Sequence, residues 1–145
     1  RSKELVLLED EMRGVCDDVY VTTNDGSHGI LGFVTDALKL ILAREPVGAV
    51  LAIGPVPMMR AVSDMTKTQG IPTMVSLNAV MVDGTGMCGG CRVTVDGKTK
   101  FACYDGPDFD GHLVDYDELV LRQRMYRPME AEAVDHLCHI EKAMP

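Results

Sequence analysis

The chain has 145 residues, 46% of them hydrophobic and 25% charged, which suits a globular protein of one domain with a real core, or of a domain plus an appendage. Its formal net charge of −8 argues against nucleic acid or an anionic membrane as the main partner, since both need clustered Lys and Arg. No apolar run approaches the ~20 residues that span a bilayer, and no signal-peptide pattern is visible. Five cysteines are an odd number, and three of them fall between positions 88 and 103. A disulfide framework fits that poorly, and metal-binding thiols in a cytoplasmic protein fit it better.

The spacing of Leu5, Leu8, Met12 and Val15 predicts a helix from Lys3 to Val15 with Ser2 as its N-cap. Val19 to Thr23 reads as a short strand, and the run from Asn24 to Gly32 reads as a loop containing Asp25, Gly26 and His28. A second helix is expected from Phe33 to Ala43, closed ahead of Pro46. The continuous apolar run Ala49 to Ile53 predicts a strand buried on both faces, ending at Gly54 and Pro55. A third helix follows from Met58 to Lys67, and Thr73 to Leu77 reads as a further buried strand. This alternation predicts an α/β fold with a mainly parallel sheet.

The pattern then changes. Residues 79–91 are a glycine-rich loop, and Arg92–Val95, Asp96-Gly97 and Lys98–Cys103 read as a β-hairpin with a type I′ turn. Residues 105–111 read as an acidic loop. From Asp115 onward helix formers dominate, interrupted at Pro128. In the last segment Val134, Leu137, Cys138 and Glu141 fall at helical spacing, so that face is only partly apolar. The expected division is a nucleotide-binding subdomain over 1–78, a cluster module over 79–114 and a helical tail over 115–145.

The chemistry is concentrated in Asp83-Gly-Thr-Gly-Met-Cys88-Gly-Gly-Cys91, with Cys103 at the far end of the hairpin. Ferredoxin-type ligation uses C-x4-C-x2-C with a more distant fourth cysteine, and here Asp83 stands at the first position. The x2 spacing lets Cys88 and Cys91 approach one small core from a single turn, and the hairpin returns Cys103 to the same end. Glycines 84, 86, 89 and 90 leave room for inorganic sulfide and free their N–H groups to donate to sulfur. We read a 2Fe–2S site with ligands Asp83, Cys88, Cys91 and Cys103. Zinc is the competing ion, as Cys3His with His112 or as Cys3Asp. A single C-x2-C with one lone cysteine is weaker than the paired sets of structural zinc modules. On that alternative the chain is a zinc-stabilised α/β interaction domain without redox activity. Cys16 and Cys138 read as core or interface cysteines.

Gly84-Thr-Gly86-Met-Cys-Gly89 matches G-x-G-x-x-G letter for letter. That dinucleotide fingerprint needs a helix to follow, and a strand-period hairpin follows instead. The nucleotide candidates are therefore Gly54 and Pro55, beyond the carboxyl end of a strand where open α/β sheets bind ligands, with Asp25 and Gly26 at the corresponding end of the preceding strand. His28 reads as a solvated loop histidine.

Together Leu7–Met12, Thr22–Ser27, Gly32–Asp36, Ile53–Met58 and Met81–Cys91 resemble the flavoprotein electron-transfer subunits of the ferredoxin–NADP+ reductase superfamily. Similar groups are the dihydroorotate dehydrogenase B electron-transfer subunits and the small subunits of NADH-dependent ferredoxin:NADP+ oxidoreductase. The resemblance covers about residues 1–120. It implies a partial Rossmann-like parallel sheet, then a β-hairpin iron–sulfur module and a helical tail. In the ferredoxin:NADP+ oxidoreductase group one Asp and three Cys hold the cluster, which corresponds to Asp83, Cys88, Cys91 and Cys103. It also places Gly54 and Pro55 near the nicotinamide side of NAD(P). Relatives place an FAD-binding barrel and a first strand–helix unit ahead of the region seen here, so the chain is expected to be the C-terminal part of such a subunit, inactive alone. In full it would pass electrons between NAD(P)H, FAD and the cluster to an iron–sulfur flavoprotein partner subunit.

Overall fold

The computed structural model describes residues 1–143, with side chains described through Asp135. It divides into two compact units, Arg1–Gly48 and Ala49–Pro145. The class is mixed α/β with small sheets.

In the first unit the expected helix from Lys3 is shorter. Lys3–Leu5 forms one 3-10 turn, Leu8 takes φ 58°, and α1 covers only Glu9–Val15. Tertiary hydrogen bonds divert the start of the chain: the Lys3 amide donates to Ser27 Oγ at 2.8 Å, and the Asn24 amide donates to Arg1 O at 2.9 Å. Ser2 makes no side-chain cap. Three acidic residues in the first turn of α1 suit the positive end of its dipole. Leu5, Leu8, Met12 and Val15 are all exposed, so the apolar spacing does not mark a buried face.

The strand expected over 19–23 pairs only at Thr22–Thr23, called β1, which runs parallel to β2, Ile30–Leu31, inside the expected loop. Thr23 is fully buried and ties the intervening turn by donating to His28 O at 2.7 Å and accepting from His28 N at 3.2 Å. Helix α2 spans Val34–Arg44, and the Asp36 carboxylate accepts from the Phe33 amide at its start.

In the second unit β3 (Val50–Ile53) pairs parallel with β4 (Thr73–Ser76), joined through α3 (Val56–Lys67). Strand β7 (Asp108–Asp110) adds antiparallel to β4 and lies in what sequence alone reads as a loop. The cross-strand row Ala52, Val75 and Phe109 is buried. Helix α3 packs on β3 and β4 and contributes the buried Val56, Met59 and Val62. The expectation that β3 is buried on both faces fails. Leu51 and Ile53 are 61% and 67% exposed, because β3 is an edge strand whose alternate residues face away from the buried row.

The hairpin of β5 (Arg92–Val95) and β6 (Lys98–Phe101) turns through Asp96 and Gly97, both at positive φ, as a type I′ turn requires. Residues 113–115 lie along β5: Asp96 N donates to Leu113 O and Asp115 N to Thr94 O, each at 2.9 Å. Asp115 then caps α4 (Tyr116–Gln123) by accepting from Glu118 N. The helical break falls at 124–126, and Pro128 sits in the first turn of α5 (Arg127–Ala143) instead of interrupting it. Proline lacks only an N–H that the first turn leaves unpaired. The side chains of Leu137, Cys138 and Glu141 lie outside the described residues, and Val134 is exposed.

Under α4 a polar network is fully paired. Ser63 Oγ and Tyr116 OH are 2.8 Å apart, Thr73 Oγ1 donates to Thr66 Oγ1, and Thr66 Oγ1 meets His112 Nε2 at 3.0 Å. Burial pushes the Tyr116 phenol above its ordinary pKa. Among the described residues no buried side-chain nitrogen or oxygen lacks a partner.

Candidate iron–sulfur site

The loop between β4 and β5 has no regular structure and carries Asp83, Cys88 and Cys91. Asp83 organises it: Oδ1 accepts from the Thr85 amide at 2.9 Å and Oδ2 from the Cys88 amide at 3.1 Å. The Thr85 amide is the chief reason that the Asp83 carboxyl sits below its ordinary pKa. One turn later the Gly90 amide donates to Cys88 Sγ at 3.3 Å. The hairpin then carries Cys91 and Cys103 back to one end, as its register requires, with Ala102 N bonded to Cys91 O.

The two sulfurs are 3.3 Å apart, and the Cys103 amide donates to Cys91 Sγ at 3.5 Å. Burial opposes ionisation of Cys91, but the Cys103 amide and thiol outweigh it, so the Cys91 thiol lies below its ordinary pKa. Cys103 is raised, chiefly by its hydrogen bond with the Cys91 sulfur and then by burial. Cys91 is buried, Cys103 half-buried and Cys88 exposed. The structure thus joins Cys91 to Cys103 and Asp83 to the Cys88 backbone. Among the described residues no group of three His, Cys, Asp or Glu side chains is drawn together as a metal site.

The donor set nonetheless fits an iron–sulfur centre: three thiols with one carboxylate, and backbone N–H groups already directed at two of the sulfurs. It does not fit the Cys3His zinc arrangement. The His112 ring is held by Thr66 Oγ1, with Asp110 Oδ1 3.8 Å from Nδ1, apart from the thiols. Cys16 is exposed at the end of α1, so it is not a core cysteine. The apparent dinucleotide fingerprint at 84–89 leads into β5 and no helix, as expected.

The nucleotide candidates lie in separate units. Gly54 and Pro55 close β3, and Pro55 O accepts from the Met58 and Met59 amides to open α3. A Cβ at Gly54 would lie 2.8 Å from Met58 Cε. In the first unit Asp25 Oδ1 accepts from both the amide and hydroxyl of Ser27, and Gly26 has φ 72°. His28 is not simply solvated: Nε2 lies 2.7 Å from Glu9 Oε2.

Two residues that sequence reasoning passes over touch the cluster loop. Arg122 Nη2 donates to Gly90 O at 3.0 Å, and Gln123 Nε2 donates to Asn78 O at 2.9 Å. Separations of 32 and 45 residues leave no local pattern to reveal them.

Three thiols and a carboxylate in and beside a glycine loop, with a hairpin after it and a parallel strand–helix–strand segment before it, are the arrangement that an iron–sulfur module on an α/β scaffold would take. Residues 78–115, which include all four candidate ligands, match the family described as the iron–sulfur cluster binding domain of dihydroorotate dehydrogenase B. An electron-transfer subunit homologue of that enzyme from Thermotoga maritima is 46% identical over 130 residues, 90% of this chain and 46% of the relative. An uncharacterized Clostridium beijerinckii protein of the adh 3′ region is 50% identical over 135 residues, 92% of this chain and 46% of its own. A chain in a structure of NADH-dependent reduced ferredoxin–NADP oxidoreductase superposes with a TM-score of 0.83 at 45% identity, covering 95% of this chain and 50% of that one. The chain therefore spans about half the length of the relatives it matches. The resemblance to electron-transfer subunits drawn from sequence is borne out. Among the described residues no helix is long and apolar enough to cross a membrane.

Proposed function

We propose that this chain is the nucleotide- and cluster-binding part of an electron-transfer subunit in a cytoplasmic NAD(P)H-dependent flavoprotein oxidoreductase. Asp83, Cys88, Cys91 and Cys103 would hold a 2Fe–2S cluster; Gly54 and Pro55 in the second unit, and separately Asp25 and Gly26 in the first, would be the NAD(P)-contacting residues. FAD would be bound in the whole subunit outside the span seen here. A cluster of this kind, when bound, supplies one-electron transfer at a potential that its surroundings set.

The protein's own part is to hold donors and exclude side chains. Cys91 and Cys103 present two thiols from adjoining strand ends. Cys88 lies exposed on the loop with the Gly90 N–H on its sulfur, and Asp83 adds a harder oxygen donor while shaping the loop. Electrons would pass onward to an iron–sulfur flavoprotein partner subunit, as the resemblance of the sequence to electron-transfer subunits implies.

The observation that carries this reading is the match of residues 78–115, within which two of the thiols already meet. The test is iron and sulfide analysis of anaerobically prepared protein, then reconstitution and electron paramagnetic resonance of the reduced sample. A reduced 2Fe–2S signal is expected. Zinc retained with no visible bands after reconstitution would overturn the proposal. Calorimetry with NADH and NADPH is expected to show weak binding at best for this part alone.

A further inference from the structure

We propose that Arg122 and Gln123, consecutive residues at the end of α4, are positioning residues that clasp the two shoulders of the cluster loop, and that Arg122 fixes the Cys88–Cys91 turn. The inference rests on the cluster reading above and adds residues outside the matched span. Gln123 Nε2 holds Asn78 through both its carbonyl, at 2.9 Å, and its side-chain oxygen, at 3.1 Å. Arg122 Nη2 holds the Gly90 carbonyl at 3.0 Å. One helical end therefore grips the loop where it leaves β4 and where it enters β5.

The Gly90 bond acts on the ligands through covalent geometry. The Gly90 carbonyl belongs to the same planar peptide as the Cys91 N–H, so orienting one orients the other. The amide on the other side of Gly90 is the donor to Cys88 Sγ. Holding this one residue therefore sets both the approach of Cys91 and the hydrogen bond on Cys88. A Gly89-Gly90 pair has more conformational freedom than any other dipeptide, and an external restraint matters most there. A guanidinium-to-carbonyl bond is charge-assisted, and a cation at a helix C-terminus is favoured by the helix dipole.

The clasp has a firm base. Helix α4 is capped by Asp115, buries Leu119 and joins Tyr116 to Ser63 of α3. Arg122, Gln123, Cys88, Gly89 and Gly90 line one cleft of about 190 Å³. The Arg122 side chain thus spans the gap between helix and loop, and a shorter cation would reach Gly90 less well.

The test uses this chain with Arg122→Ala, Arg122→Lys, Gln123→Ala and, as a control cation on α2 of the first unit, Lys39→Ala. Hydrogen exchange of the cluster-free protein reads the loop directly. Exchange over 78–91 should rise in Arg122→Ala and Gln123→Ala, while β4 keeps its protection. In reconstituted protein, chelator-driven loss of the visible bands should be roughly 10- to 100-fold faster in Arg122→Ala, the usual cost of removing a group that orients a ligand. Arg122→Lys should restore part of it, and Lys39→Ala should match the parent. Unchanged loop exchange together with unchanged bleaching in Arg122→Ala would overturn the clasp. If Arg122→Ala weakens β4 protection as well, Gln123→Ala decides at the other shoulder, with the same two outcomes. If the parent takes up no iron and sulfide, the cluster reading fails, and loop exchange in the cluster-free variants still decides the clasp.

Discussion

Asp83 and the three cysteines play different parts in the folded chain even before any cluster is considered. The carboxylate accepts from two backbone amides and so gives the loop its shape, while the sulfurs mainly wait at its edges. Asp83→Ala should therefore raise hydrogen exchange at the Thr85 and Cys88 amides in cluster-free protein; unchanged exchange would show that the glycines alone set the loop. Cys91 and Cys103 are close enough to be a redox couple. Their sulfurs are 3.3 Å apart, and a disulfide needs them at about 2.0 Å. Oxidised glutathione should join them by thiolate attack and a mixed disulfide, releasing two reduced glutathiones. Mass spectrometry should then find Cys16 and Cys88 still open to alkylation. In the first unit the Glu9 carboxyl is held below its ordinary pKa, chiefly by Arg13 and then by His28. A depressed folded value means that this stabilisation is complete above the ordinary pKa of about 4.3 and is lost as pH falls through the lower folded value. Glu9→Gln should flatten the acid limb of a helix-signal titration, and an unaltered limb would assign it to other carboxylates.

At the scale of elements, β7 meets α3, β4 and α4 at a close-packed junction. Gly111 sits there with its amide on Thr73 O at 2.8 Å. A Cβ at Gly111 would collide with Ser63 Oγ and come within 2.9 Å of Val75 Cγ1. Gly111→Ala should cost about 1–3 kcal/mol, as overpacking does, measured as a lower urea midpoint with unchanged slope. Elements whose signal is local were legible in the sequence: α2, α3, the β5–β6 hairpin with its Asp-Gly turn, and the cysteine loop. Elements made by distant partners were not. Strand β7 is an Asp-Phe-Asp triplet whose only buried anchor is Phe109, and its pairing with β4 lies more than thirty positions away. Apolar spacing places the start of α1 too early because Lys3 is bonded to Ser27, a contact no periodicity encodes. The spacing of the four candidate ligands is legible in the sequence because coordination chemistry would fix it, while the hold of Arg122 and Gln123 on the loop depends on tertiary packing.

At the scale of the whole molecule, a net charge of −8 opposes self-association while the second unit's sheet favours it. Leu51, Ile53 and Met74 are 61%, 67% and 50% exposed on β3 and β4, on the face opposite the buried row. An apolar face on an edge strand is a site for pairing with another chain, and repulsion between acidic copies is what restrains it. Salt shortens the range of that repulsion to about 3 Å at 1 M but leaves the apolar attraction in place. Sedimentation should therefore show association that grows with protein concentration and strengthens with added salt. The double variant Leu51→Thr, Ile53→Thr should suppress it. Because those side chains bury little in the folded unit, the double change should alter its stability by only about 0.5 kcal/mol per site, so the loss of association would not be a consequence of unfolding. If the double variant associates like the parent, the attraction resides elsewhere, and the exposed apolar residues of the first unit, Leu5, Leu7, Leu8 and Val15, become the next to change.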